Sequence, residues 1–272
     1  MAGNSAFVIR QGRGWQRGLA NFLTAELAGW FGTRTWLTHL LIWVGMIDGI
    51  LLVTLVTMQR DVGAVTDLEV ATTGAMIYSI FSGYFAAIGV VIIMQDAIVG
   101  EKLSGTAAWV LSKPLSRAAF VLTKLFGNMA GILVMMILIP GLIAYVIISL
   151  VGLGEWLPFL PFLAAMACLG VALIFAQTFT LMLGTLFNNR GAVIGLGLAF
   201  LFGQQFLVQM APFLWKILPV GIFLNAEPDA PSLTAALILG QPLPSLQPVW
   251  WGIGLSVLFV VIGLWRFEKT EL

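Results

Sequence analysis

The sequence predicts an all-α integral membrane protein with six transmembrane helices, and three observations carry that prediction. Apolar residues make up 60% of the 272-residue chain and charged residues only 9%, with a mean hydropathy of +1.02; a soluble domain carries about 25% charged residues. Six apolar stretches are each long enough to cross a bilayer, which takes about 20 residues. Lysine and arginine gather on one side of the spans so drawn. The net charge of +1 comes from scattered residues and points to no nucleic-acid partner. The single cysteine, Cys168, lies in an apolar run and cannot form an intramolecular disulfide.

The elements follow in chain order. Arg10, Arg13 and Arg17 are not followed by a short apolar core with a small-residue cleavage site, so no cleaved signal peptide is expected. Residues 1–35 read as a cytoplasmic N-terminal segment. Within it Trp15, Leu19, Phe22, Leu23, Leu27 and Trp30 recur at helical spacing, while Arg17, Glu26 and Arg34 supply polar positions. That pattern predicts an amphipathic helix in the membrane interface, with Trp15 and Trp30 as headgroup anchors; the plainer alternative is a tail facing water. Residues 36–272 form the six-span domain, its spans drawn at Trp36–Met58, Val70–Met94, Ala118–Leu150, Pro158–Phe187, Gly191–Ala211 and Val249–Trp265. The third exceeds what a bilayer requires, so it tilts, kinks at Pro140 or projects from the membrane. The outer loop 212–248 is dense in proline and keeps two apolar pieces, Phe213–Leu224 and Leu233–Leu239, too short to span. They are expected as short extracellular or re-entrant helices shielded by protein.

Orientation follows from the basic residues. With the N-terminus inside, Arg10, Arg13, Arg17, Arg34, Lys102, Lys113, Arg117, Lys124, Arg190, Arg266 and Lys269 lie on the inner side, against Arg60 and Lys216 outside. Both termini and the loop 96–117 are therefore expected in the cytoplasm.

That loop is the most informative segment. From Val99 to Arg117 it carries Glu101, then Gly105 and Thr106, then Leu111, Pro114 and Arg117. Ile98, Leu103, Ala107, Val110 and Leu111 can share one side of a short helix, and Pro114 suits the first turn of the next. The bland reading is a connection whose charges only set topology. The order of residues resembles the loop after the second span in the permease subunits of type-2 ABC exporters. The resemblance implies a coupling helix that docks on a separate cytoplasmic ABC ATPase present in two copies, with Glu101, Gly105, Thr106, Pro114 and Arg117 as coupling positions. It also implies an N-terminal interfacial helix, short outer helices, and a second permease copy or a paralogue completing the pathway. ATP and Mg²⁺ would belong to the partner subunit, with no cofactor on this chain, and the location would be the plasma (cell inner) membrane. Membrane lipid is the surrounding partner, and some members of the family act on an extracytoplasmic protein. A pathway with so few charges suits an amphipathic or lipid-like substrate. Two readings of other classes stay open at this stage: a non-transporting membrane scaffold, and an ion-coupled carrier that uses Asp48.

No catalytic site is expected. A phosphate loop needs lysine and Ser/Thr after its last glycine, whereas Thr106 and Ala107 follow Gly105. His39 and Cys168 are single, so one chain offers no His/Cys metal cluster; the eleven methionines read as core filling. Asp48 is the one acid near the middle of a span, which marks either a pathway position or a buried packing contact. Asp96 is expected to orient the loop. Gln204, Gln205 and Gln209 place amides in the fifth span, as pathway or dimer-interface positions or as interhelical hydrogen bonds. Gly45/Gly49, Gly127/Gly131 and Gly191/Gly195 have the spacing that lets helices approach closely.

Overall fold

A computed structural model describes residues 14–60, 65–225 and 231–270. Among them there is helix and no strand. A short helix α1 (Leu19–Phe31) precedes the spans. Six helices are long and apolar enough to cross a membrane: α2 (Thr35–Arg60), α3 (Asp67–Leu103), α5 (Arg117–Leu153), α6 (Phe159–Leu186), α7 (Arg190–Met210) and α10 (Gln247–Glu268). The short helix α4 (Thr106–Leu111) lies between α3 and α5. Two others, α8 (Val220–Phe223) and α9 (Leu233–Ile238), lie between α7 and α10. Arg10, Arg13 and Pro228 fall outside the described residues.

The span edges lie close to those expected, with one instructive difference. The second helix runs past Met94 to Leu103 rather than giving way to a loop at residue 96. Gln95, Asp96, Glu101 and Lys102 end the apolar run but not the helix. Ile98 and Val99 stay fully buried on its inner side, so packing continues where hydropathy stops. Pro114 lies ahead of α5 rather than in its first turn: Ser116 is the N-cap, its side chain accepting from the Ala119 amide. Thr66 and Glu69 cap α3 reciprocally.

Several spans contain wider π turns: Gly45–Gly49 in α2, Phe81–Phe85 in α3, and Leu133–Leu138 and Ile148–Leu153 in α5. The turn at Leu133–Leu138 lies immediately before Pro140, which lacks an amide proton and crowds the carbonyl four residues back. The irregularity expected at that proline therefore appears as a widened turn ahead of it.

Helix α6 is the central post, packed against α3, α5, α7, α9 and α10. Its side chains Phe162, Leu169, Leu173 and Leu181 are fully buried. The segments between α7 and α10 fold back onto the bundle. Val220, Ile222 and Phe223 of α8 and Leu233, Ala235 and Ile238 of α9 are buried, and Thr234 hydrogen-bonds to Ser79 of α3 at 2.7 Å. Helices α8 and α9 are thus covered by protein, whereas Phe213, at the start of the first apolar piece, stays exposed.

Candidate functional site

One end of the bundle is knitted together by polar contacts, and all converge on the segment from Asp96 to Lys124. At its centre is Lys124 of α5. Its ammonium lies 2.6 Å from the Glu26 carboxylate of α1 and 2.5 Å from that of Glu101 on α3. The Phe22 and Phe120 rings cover it from the apolar side, 5.5 and 5.9 Å from the nitrogen. A buried ammonium shared by two carboxylates holds three helices by charge-assisted hydrogen bonds.

Helix α1 can reach Lys124 because α5 presents glycines beneath it. A Cβ on Gly131 would stand 2.2 Å from the Trp30 ring, and one on Gly127 would stand 2.7 Å from the Glu26 Cβ. Glu26 and Trp30, one turn apart on α1, therefore seat on Gly127 and Gly131, one turn apart on α5. The Trp30 indole donates to Asn128 at 3.1 Å. This glycine pair is the docking seat of the N-terminal helix. No heavy atom of the described chain approaches a Cβ on Gly45, Gly49 or Gly195.

The other charges of this end bind across it. Lys102 donates to the Gly184 and Thr185 carbonyls at 3.0 and 3.2 Å and to Asn188 Oδ1 at 3.2 Å, tying α3 to the C-terminal end of α6. Arg190 pairs with Asp96 at 2.7 Å. Arg117 donates to the Glu268 and Thr270 carbonyls, each at 2.7 Å, at the end of the last span and just past it. The Ser116 amide donates to the Arg17 carbonyl at 3.1 Å, and the Ser116 hydroxyl to the Trp15 carbonyl. These bonds place α1, α4, the turn at 187–189 and residues 269–270 at one face. Arg17, Arg34, Lys102, Lys113, Arg117, Lys124, Arg190, Arg266 and Lys269 belong to that face; Arg60 and Lys216 lie at the other.

Helix α4 projects from this frame. Gly105 adopts φ +73° between α3 and α4, a left-handed turn that glycine makes without Cβ strain. Thr106 shares a 2.8 Å hydrogen bond with Ser104 across that turn. Ala107 is fully buried, which turns Trp109 outward, 65% exposed, with the Lys113 ammonium 5.1 Å from its ring centre. Between α1 and α4 lies an apolar cavity of about 310 Å³, lined among others by Phe22, Trp109, Val110, Pro114 and Leu115.

The residues singled out in the sequence thus separate by what they touch. Glu101 and Arg117 spend their charge inside the protein, Gly105 and Thr106 shape the turn, and Pro114 borders the cavity. Trp15 is exposed at the edge of this face, whereas Trp30 is 7% exposed and packs on α5. Gln204 is buried with its carbonyl oxygen unpartnered; Gln205 is half-buried and Gln209 exposed, so the three amides do not share one face. Asp48 is buried in α2, remote in sequence and packing from this end. Lys124 as the common receptor and Trp109 as the exposed head were not singled out in the sequence. An aromatic two residues beyond the inward Ala107, on so short a helix, was the available signal.

The family profile described as ABC-2 family transporter protein matches residues 32–272, most of the chain. The chain belongs to the ABC-2 transporter family. No curated protein matches it. As an ABC-2 permease it is a multi-pass membrane transport subunit, and membership implies association with an ABC ATPase. The family match begins within three residues of the start of α2. Helix α1, docked through Glu26 and Trp30, lies ahead of the matched region.

Proposed function

We infer that this chain is the permease subunit of an ATP-driven exporter, with α4 as the element that receives the ATPase. The observation that carries the reading is the exposed Trp109 on a short helix braced on both sides. Glu101 ties the helix before it to Lys124, Ser116 ties the helix after it to Trp15 and Arg17, and Arg117 ties that helix to Glu268 and Thr270. A push on α4 is therefore delivered to α3 and α5 together, and to α1 through Glu26. The basic face is the cytoplasmic face on this reading, with both termini inside, because cytoplasmic segments carry the excess of lysine and arginine. Two ATPase copies, which bind ATP and Mg²⁺, would serve two permease chains. ATP acts by favouring one arrangement of the bundles over another, which is the differential binding any driven change requires. An amphipathic or lipid-like substrate leaving the cytoplasm or inner leaflet suits walls with so few charges. In this account Glu101, Gly105, Thr106, Pro114 and Arg117 position the coupling element, and Trp109 makes the contact. Affinity purification of the tagged chain in mild detergent tests this. A protein with a nucleotide-binding motif is expected with the wild type and lost with Trp109→Asp, while Trp250→Asp, on the exposed side of α10, retains it. Loss with neither variant, or no such protein with the wild type, counts against the reading.

A further inference from the structure

Halfway along α2 the structure gathers oxygens that the fold leaves unused. Asp48 is 3% exposed and sits in the π turn Gly45–Gly49. Both of its carboxylate oxygens lack a hydrogen-bond partner among the described residues, as do the Tyr78 hydroxyl and the Ser82 hydroxyl of α3. No described cation pairs with Asp48. The packing brings these groups to one level. A Cβ on Gly89 would touch the Trp43 ring, and one on Gly74 would lie 3.1 Å from Leu55. This antiparallel register of α2 and α3 sets Asp48 opposite the second π turn, Phe81–Phe85, which contains Ser82 and contacts the Gly45–Gly49 turn. Tyr78 is one turn away, and its hydroxyl points at Gly141 of α5, where a Cβ would lie 2.7 Å from it. That part of α5 packs on the Gly45–Gly49 turn as well.

A carboxyl, a phenol and an alcohol form an all-oxygen set, bounded by two turns in which the helix widens from the regular i→i+4 ladder. Hard cations take oxygen ligands, and interrupted membrane helices commonly complete such sites with backbone carbonyls. Burial of an unpaired carboxylate at this depth is strongly unfavourable, and a cation among these oxygens resolves the charge and the orphaned hydroxyls together. We propose that Asp48, Tyr78 and Ser82 form a binding site for one sodium ion where α2, α3 and α5 meet. The other titratable groups on the surrounding elements are engaged or distant. His39 lies against Trp30, Tyr84 against Phe202 and Phe223, and Tyr145 donates to the Leu157 carbonyl. Arg60, Asp67 and Glu69 lie at the far ends of their helices, and Asp96, Glu101 and Lys102 at the ATPase-facing end. The site does not depend on the coupling assignment.

The test is thermal unfolding of the purified full chain, followed by tryptophan fluorescence. Sodium chloride is exchanged for choline chloride at fixed ionic strength and pH, and pH is varied in choline alone. A sodium site predicts a saturable rise in the wild-type midpoint with sodium that Asp48→Asn abolishes. A midpoint that ignores sodium and falls relative to Asp48→Asn only as pH rises marks a protonated carboxyl with no bound cation, and overturns the proposal. Ser82→Ala and Tyr78→Phe each remove one oxygen with little change of shape, and are expected to weaken the response about tenfold in half-saturating concentration; they serve also if Asp48→Asn does not fold. A wild-type midpoint indifferent to sodium and tracking Asp48→Asn across pH would overturn the proposal, as would a full response retained in Ser82→Ala and Tyr78→Phe.

Discussion

Lys124 is the residue on which the polar face turns. Lys124→Met removes the shared ammonium and leaves Glu26 and Glu101 facing each other, partly buried, without a counter-charge. The expected loss of stability is about 1–3 kcal/mol, the range for a charge-assisted hydrogen bond in a site that water still reaches. Reversible unfolding in mixed micelles measures it. A double-mutant cycle with Glu101→Gln is expected to give a coupling of about 1 kcal/mol, since the two residues share one contact. The sequence made Glu101 conspicuous but not its role. Its partner lies 23 positions on, and Glu26 is 98 positions from Lys124, so no local pattern joins them. Asp48 was legible as an oddity for the opposite reason: a single acid in an apolar span stands out unaided. Tyr78 and Ser82 joined it only through the register of two helices.

At the scale of elements, α1 and α4 are held by backbone and glycine geometry that can be tested directly. Gly131→Leu drives a side chain into the Trp30 ring. Overpacking of this kind costs about 1–3 kcal/mol, and here the strain is relieved by releasing α1. Limited proteolysis should then cut near residues 19–31 in the variant and spare the wild type, with Trp30 fluorescence shifting toward that of an exposed indole. Gly105→Ala forces a Cβ into the left-handed region at a cost of about 1–2 kcal/mol. It is expected to displace α4 and to weaken ATPase association more than it lowers global stability. The amphipathic helix before the first span was legible from its apolar spacing. Its seat was not, because the same apolar stripe fits a lipid interface and a glycine-lined helix equally well. The end of α3 was misplaced in the sequence because charge ends a hydropathy window before it ends a helix.

For the whole molecule, the six spans were legible because burial in a bilayer demands long apolar helices, and little else in a sequence looks like them. That the outer loop holds helices too short to span was legible from length, and the contacts that fold α8 and α9 onto the bundle were not. The frame also predicts sidedness. After replacement of Cys168, single cysteines at Ser112 and Thr270 are expected to resist a membrane-impermeant maleimide in intact cells, while one at Ser245 is labelled. If α4 is the point where an ATPase engages this permease, a photo-reactive amino acid at position 109, irradiated in native membranes, should report it. A crosslink to a protein bearing a nucleotide-binding motif is expected, absent when the same group is placed at position 250. Crosslinks at 109 that reach only lipid or other copies of this chain, with the chain intact and folded, would contradict it.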